Sequence, residues 1–215
     1  MVAVNFLGET GSLEGDLYLP DSDVKLPGVV VCHPHPMMGG DMHNNVVIAM
    51  CRSLFDLGIV SLRFNFRGVG DSSGSYDGGA GEALDATSAV EFLSALPEVD
   101  EGSIGLAGYS FGAGVAIKAG LQINTIKALT LIGRARVDSE IDLYSRSSLP
   151  ILFVVGDMDK LMPDDQLQTM QSQMIVPPEM YILDNADHFL AGREFEVGNK
   201  VANFCHRWLV KETDR

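Results

Sequence analysis

Short apolar runs alternate along the chain with longer segments in which apolar residues return every three or four positions. The runs are Gly28 to Cys32, Ile59 to Phe66, Ser103 to Ala107, Ile126 to Ile132, Ile151 to Val155 and Glu179 to Leu183. They are rich in Val, Ile and Leu and mostly continuous, which predicts strands covered on both faces. Ahead of them, Val2 to Leu7 and Leu13 to Leu19 read as a hairpin. The helical segments are Asn45 to Leu57, Gly81 to Leu96, Phe111 to Leu121, Pro163 to Met174 and Arg193 to Val210. In the second, Leu84, Ala86, Val90, Leu93 and Leu96 are expected to form one stripe; in the last, Val197, Val201, Phe204 and Trp208 should dock a closing amphipathic helix. Such alternation of strand and helix predicts an α/β fold.

The 215 residues suit one domain, 1–215, with no repeat, low-complexity tract or long linker. Gly68 to Gly81 and Gly133 to Ser148 are loops within it, the second too short for a large lid. A net charge of −14 with scattered Lys and Arg argues against nucleic acid as a partner. No apolar run approaches the roughly 20 residues that cross a membrane. Neither a basic leader nor a small-residue cleavage pattern opens the chain, so a cytoplasmic location is expected. Cys32, Cys51 and Cys205 are odd in number and far apart, which suits a reduced compartment and buried apolar roles.

Chemistry concentrates first at Gly108-Tyr109-Ser110-Phe111-Gly112. An apolar run precedes Ser110 and a small-residue helix follows it, so the chain turns sharply there. The flanking glycines leave room for an exposed, strained nucleophile at the sheet edge, and the helix N-terminus favours developing negative charge. A serine hydroxyl needs a positioned base, usually a histidine oriented by a carboxylate. Of five histidines, His188 follows a further strand and precedes the final helix, whereas His206 lies inside that helix. For the acid, the loop Gly156-Asp157-Met158-Asp159 follows an apolar strand. Asp159 is favoured because it lies three residues after the turn glycine and four before Pro163; Asp157 competes, with Asp184 and Asp187 behind them.

The loop His33-Pro34-His35-Pro36-Met37-Met38-Gly39-Gly40 is placed to give a second oxyanion donor beside the N–H of Phe111. Prolines have no N–H, so Met37 is the first choice and Met38 the second. His33, His35, Asp41 and His43 raise a metal reading, but prolines beside both first histidines and a complete alternative chemistry favour no metal, with the rings bonding the loop or lining the pocket. Arg67 and Asp71 are read as shaping their own loop, whose G-x-G lacks the remaining features of a dinucleotide site.

With HPHPMMGG, FNFRGVGDSSG, GYSFGAG and the Asp and His loops in that order over nearly the whole chain, the sequence resembles small bacterial α/β-hydrolases, predicted carboxylesterases related to the dienelactone hydrolases. The resemblance implies an α/β-hydrolase fold: a mostly parallel twisted sheet of eight strands or slightly fewer, helices on both faces and a minimal lid. It also implies a Ser110, Asp159, His188 triad, no cofactor, and esterase-like action on small acyl substrates; a monomer or homodimer is expected. The chain carries Ser110 where dienelactone hydrolases proper have cysteine, so their lactone does not transfer with the resemblance. One triad serves thioesterases, amidases and peptidases as well as esterases. A hydrolase-fold protein that binds a small molecule without turnover is the alternative from another class.

Overall fold

A computed structural model describes residues 1–134, 147–161 and 175–211. The expected helix at Pro163 to Met174 and most of the loop at Gly133 to Ser148 lie outside these residues. Eight strands form one sheet: β1 Val2–Gly8, β2 Gly11–Tyr18, β3 Leu26–Cys32, β4 Val60–Phe64, β5 Val99–Tyr109, β6 Ile126–Ile132, β7 Ile151–Gly156 and β8 Glu179–Leu183. Their order is β1-β2-β4-β3-β5-β6-β7-β8. The hairpin β1–β2 is antiparallel and β2 meets β4 antiparallel; every other pairing is parallel. The described helices are α1 Asn45–Asp56, α2 Ala80–Ser94, α3 Phe111–Gly120 and α4 Glu194–Leu209. Among the described residues no helix is long and apolar enough to cross a membrane.

Because successive strand side chains point to opposite faces, the continuous apolar runs feed two cores at once. Val30, Leu106, Leu129 and Phe153 pack with α2 and α3 on one face. Val29, Val31, Ala107, Ala128 and Val154 pack with α1 and α4 on the other. Cys32, Cys51 and Cys205 are free and buried in these cores, and burial raises the thiols of Cys51 and Cys205 to about 12, leaving them inert.

Two expected stripes are corrected. Leu84 is 47% exposed, because two residues along a helix amount to about 200° and carry it away from the face of Ala86, Val90 and Leu93. That face instead includes the fully buried carboxylates Glu82 and Asp85. In α4, Val197, Val201 and Phe204 are buried, while Trp208 lies half-exposed beside Phe204 and Cys205 and Leu209 fill the core.

Register gathers the functional loops on one edge. Cys32 pairs with Gly108, Tyr109 with Ile132, and Gly156 with Leu183. The carboxyl ends of β3, β5, β6, β7 and β8 therefore open toward the same side, where α/β sheets carry their sites.

Candidate active site

Ser110 stands between β5 and α3 with φ 56° and ψ −115°, a conformation that costs a non-glycine residue about 1–3 kcal/mol. The turn is that tight because α3 starts against the ends of β3 and β5. A side chain at Gly108 would run into the Gly112 carbonyl, and one at Gly112 into the carbonyls of Cys32 and His33. The strain is held by burial around it and by the Ser110 N–H, which donates to the Ile132 carbonyl at 2.8 Å.

Ser110 Oγ lies 2.9 Å from His188 Nε2, and His188 Nδ1 lies 2.8 Å from Asp159 Oδ2. The structure thus brings together Ser110, His188 and Asp159, the three residues that the sequence offers as candidates for nucleophile, base and acid. Asp159 is enclosed, its side chain 1% exposed, whereas the His188 ring keeps 15% of its surface open. The second Asp159 oxygen accepts the Leu161 N–H at 2.9 Å. Asp157 points elsewhere: its carboxylate takes the Ala186 N–H at 3.2 Å, tying the β7 loop to the histidine loop.

Phe111 is the first residue of α3, so its N–H has no intrahelical acceptor and lies at the positive end of the helix, next to Ser110. Met37 and Met38 do not supply the second donor. Residues Pro36–Met38 form a 3-10 turn in which the Met37 N–H donates to His35 Nδ1 at 3.2 Å and the Met38 N–H to the His35 carbonyl at 3.0 Å. Gly39 and Gly40 likewise spend their N–H groups on the Pro36 and His35 carbonyls. With prolines at 34 and 36, the His35 N–H, next to this turn, is among the loop donors that the turn does not spend. Sequence spacing held no sign of it, since the turn that consumes its neighbours' donors is a three-dimensional feature.

The histidines of this loop are engaged with the protein. His33 is buried, donates from Nδ1 to the Pro34 carbonyl at 2.7 Å and accepts the Phe66 N–H on Nε2 at 3.2 Å. His35 has Nε2 3.3 Å from the Tyr76 hydroxyl and packs its ring on Phe111 at 4.8 Å. His43 is exposed. Among the described residues no group of three or more His, Cys, Asp and Glu is placed to hold a metal.

Burial pulls His33 down from an ordinary 6.5 to about 4, against smaller upward pulls from the Pro34 carbonyl and Asp41. Between those values the unfolded chain binds a proton that the folded chain refuses. The stability carried by the neutral ring is therefore complete above about pH 6.5 and is lost as pH falls toward 4. We expect the melting temperature to drop from pH 7 to about 5, above most carboxylate titrations, and to drop less steeply in His33→Gln. Circular dichroism melts at matched ionic strength check this, and parallel slopes in the two proteins would remove His33 as the cause.

Arg67 forks onto the buried Asp85, with Nη2 2.8 Å from Oδ1, and reaches Glu9 at 3.3 Å. Glu82 accepts the N–H groups of Asp77 and Gly79. Together they pin the loop that carries Tyr76 against His35 and Phe111. Asp71 enters through its N–H, which donates to Glu14 at 2.8 Å. Asp85 and Glu82 were missed in the sequence, where their one signal is a pair of acids inside an apolar helix face.

Residues 75–209 match the model of the dienelactone hydrolase family. An α/β serine hydrolase homologue from Coxiella burnetii is 32% identical, with a TM-score of 0.85 over 94% of this chain and 96% of that one. A lidless α/β serine hydrolase from Xanthomonas campestris is 31% identical, with a TM-score of 0.84 over 99% and 96%. An uncharacterised protein of Rickettsia prowazekii is 28% identical over 95% of this chain and 88% of its own length. With its eight-stranded mostly parallel sheet and a strand-turn-helix serine at the carboxyl edge, this chain is a hydrolase of the α/β-hydrolase fold and belongs to the dienelactone hydrolase family.

Proposed function

We propose that the chain is a cytoplasmic serine hydrolase that cleaves small carboxylic esters through an acyl-enzyme. The observation that carries the reading is the unbroken row of hydrogen bonds from Ser110 Oγ through His188 to the buried Asp159. His188 accepts the Ser110 proton as Oγ attacks the ester carbonyl carbon. The resulting oxyanion is met by the N–H groups of Phe111 and His35 at the N-terminus of α3, where fixed donors need no reorganisation during the reaction. Asp159 keeps the proton on Nδ1 in the resting ring and stabilises the imidazolium that forms. Collapse of the intermediate breaks the bond to the alcohol, which leaves with the proton from His188. Water then gives a proton to the same nitrogen, attacks the acyl carbon and frees the acid together with Ser110.

The mouth favours modest apolar acyl groups. Met37, Met38 and Phe189 stand 71%, 85% and 70% exposed in the loops that bear His35 and His188. Likeness to a lidless hydrolase supports an open site. The test is a panel of p-nitrophenyl esters, thioesters and anilides of graded chain length. We expect acetate and butyrate esters to turn over well, long-chain esters poorly and anilides slowest. Thioesters favoured over matched oxygen esters would reassign the substrate while keeping the triad.

A further inference from the structure

The histidine loop is a strained segment held in place from outside. Asn185 and Leu190, on either side of His188, both have φ 55°, in the left-handed region that asparagine tolerates and leucine disfavours. Leu190 is buried, which opposes the strain at its end of the loop. At the other end, the Arg193 side chain donates to the Asp184 carbonyl at 2.6 Å and the Met158 N–H to the Ala186 carbonyl at 3.0 Å. Between these anchors sits His188, and among the described residues its own main chain is tied by Tyr109. The buried Tyr109 hydroxyl donates to the His188 carbonyl at 2.8 Å. The Tyr109 ring also lies nearly parallel to the imidazole, 28° between planes and 6.0 Å between centroids.

The two rings share one floor. Gly133 has φ +53°, and a Cβ there would meet Tyr109 Cε2 at 3.2 Å and His188 Cε1 at 3.5 Å. The absent side chain at 133 thus lets both rings settle against the end of β6. Burial, with Asp159, Asp187 and Glu194 adding to it, pushes the Tyr109 hydroxyl up to about 12, so it remains a donor at any working pH. Tyr109 is adjacent to Ser110 at the end of β5. One rigid strand end therefore carries both the nucleophile and the group that sets the base.

We propose that Tyr109 is a positioning residue, which fixes the distance between His188 Nε2 and Ser110 Oγ by gripping the histidine main chain from the same strand that presents the serine. This rests on the serine hydrolase reading. Its leverage is geometric: the imidazole stands at the end of a side chain whose base Tyr109 holds, and a displacement of about 1 Å between reacting groups can cost about a hundredfold in rate.

Tyr109→Phe keeps the ring and removes the hydroxyl. With p-nitrophenyl butyrate, kcat is expected to fall about tenfold while KM stays within about twofold. The rate at which a fluorophosphonate probe labels Ser110, which needs the same base, should fall in parallel. Thermal melts run beside the kinetics separate positioning from support of the fold. A lower melting temperature with wild-type kcat and labelling rate would make Tyr109 merely structural and overturn the proposal, as would a variant equal to wild type throughout. Wild-type protein that neither cleaves the ester nor takes the probe would instead defeat the hydrolase reading, and the role of Tyr109 with it.

Discussion

Ser110→Ala loses hydrolysis of p-nitrophenyl butyrate by about a millionfold in kcat, the scale of removing a nucleophile from a Ser-His-Asp unit, and no longer takes a fluorophosphonate probe. The expected loss is chemical because the fold makes little use of the hydroxyl. Ser110 occupies the N-cap position of α3, yet its side chain makes no capping bond there. Oγ bonds to His188. Alanine has a Cβ like serine and inherits the same strained backbone, so it neither relieves nor deepens the cost at φ 56°. The melting temperature should stay within a few degrees of wild type, since a ΔΔG of about 1 kcal/mol moves a chain of this size by about 2–4 °C. Intact mass after probe treatment and initial rates on the purified variant measure both effects. Turnover within tenfold of wild type would place the chemistry elsewhere.

Asp159→Asn is expected to lower kcat by about 10⁴, with KM nearly unchanged. Asparagine at 159 can turn an amide N–H toward His188 Nδ1. That bond puts the ring proton on Nε2, facing Ser110 Oγ, where it can no longer act as base. The same exchange at Asp157 serves as the control. Asp157 accepts the Ala186 N–H and does not approach the imidazole, and its side chain is exposed. Asp157→Asn keeps an acceptor for that bond, so a loss under about tenfold is expected. The two variants assayed side by side decide the acid, and a larger loss at Asp157 would reverse the assignment.

The architecture was largely legible because strand burial here is two-sided. Val29, Val30 and Val31 face alternate cores, so a continuous apolar run is the direct imprint of a parallel sheet covered on both sides. Helix faces were less legible. Leu84 reads as core by composition, whereas Asp85 and Glu82 read as surface, and their places are exchanged. Arg67 explains the exchange: its guanidinium needs a buried partner, and Asp85 supplies one from 18 residues away. A pattern count weighs each side chain alone and cannot see that pairing.

At the site, the sequence by itself determined the candidate groups and their order. Ser110 at a strand-to-helix turn, aspartates after one later strand and His188 after the next follow from local composition and short spacings. Only the tertiary structure decided which aspartate meets the imidazole, which N–H groups of the histidine-proline loop are spent inside its turn, and that the Tyr109 hydroxyl bonds the His188 carbonyl. Asp159 and His188 are 29 residues apart, and Tyr109 and His188 are 79 apart. Hydrogen bonds select partners over about 3 Å and within a narrow cone of angles. Spacing favours Asp159 over Asp157 without excluding Asp157, and the turn after Gly156 sends the first carboxylate to His188 and the second to Ala186.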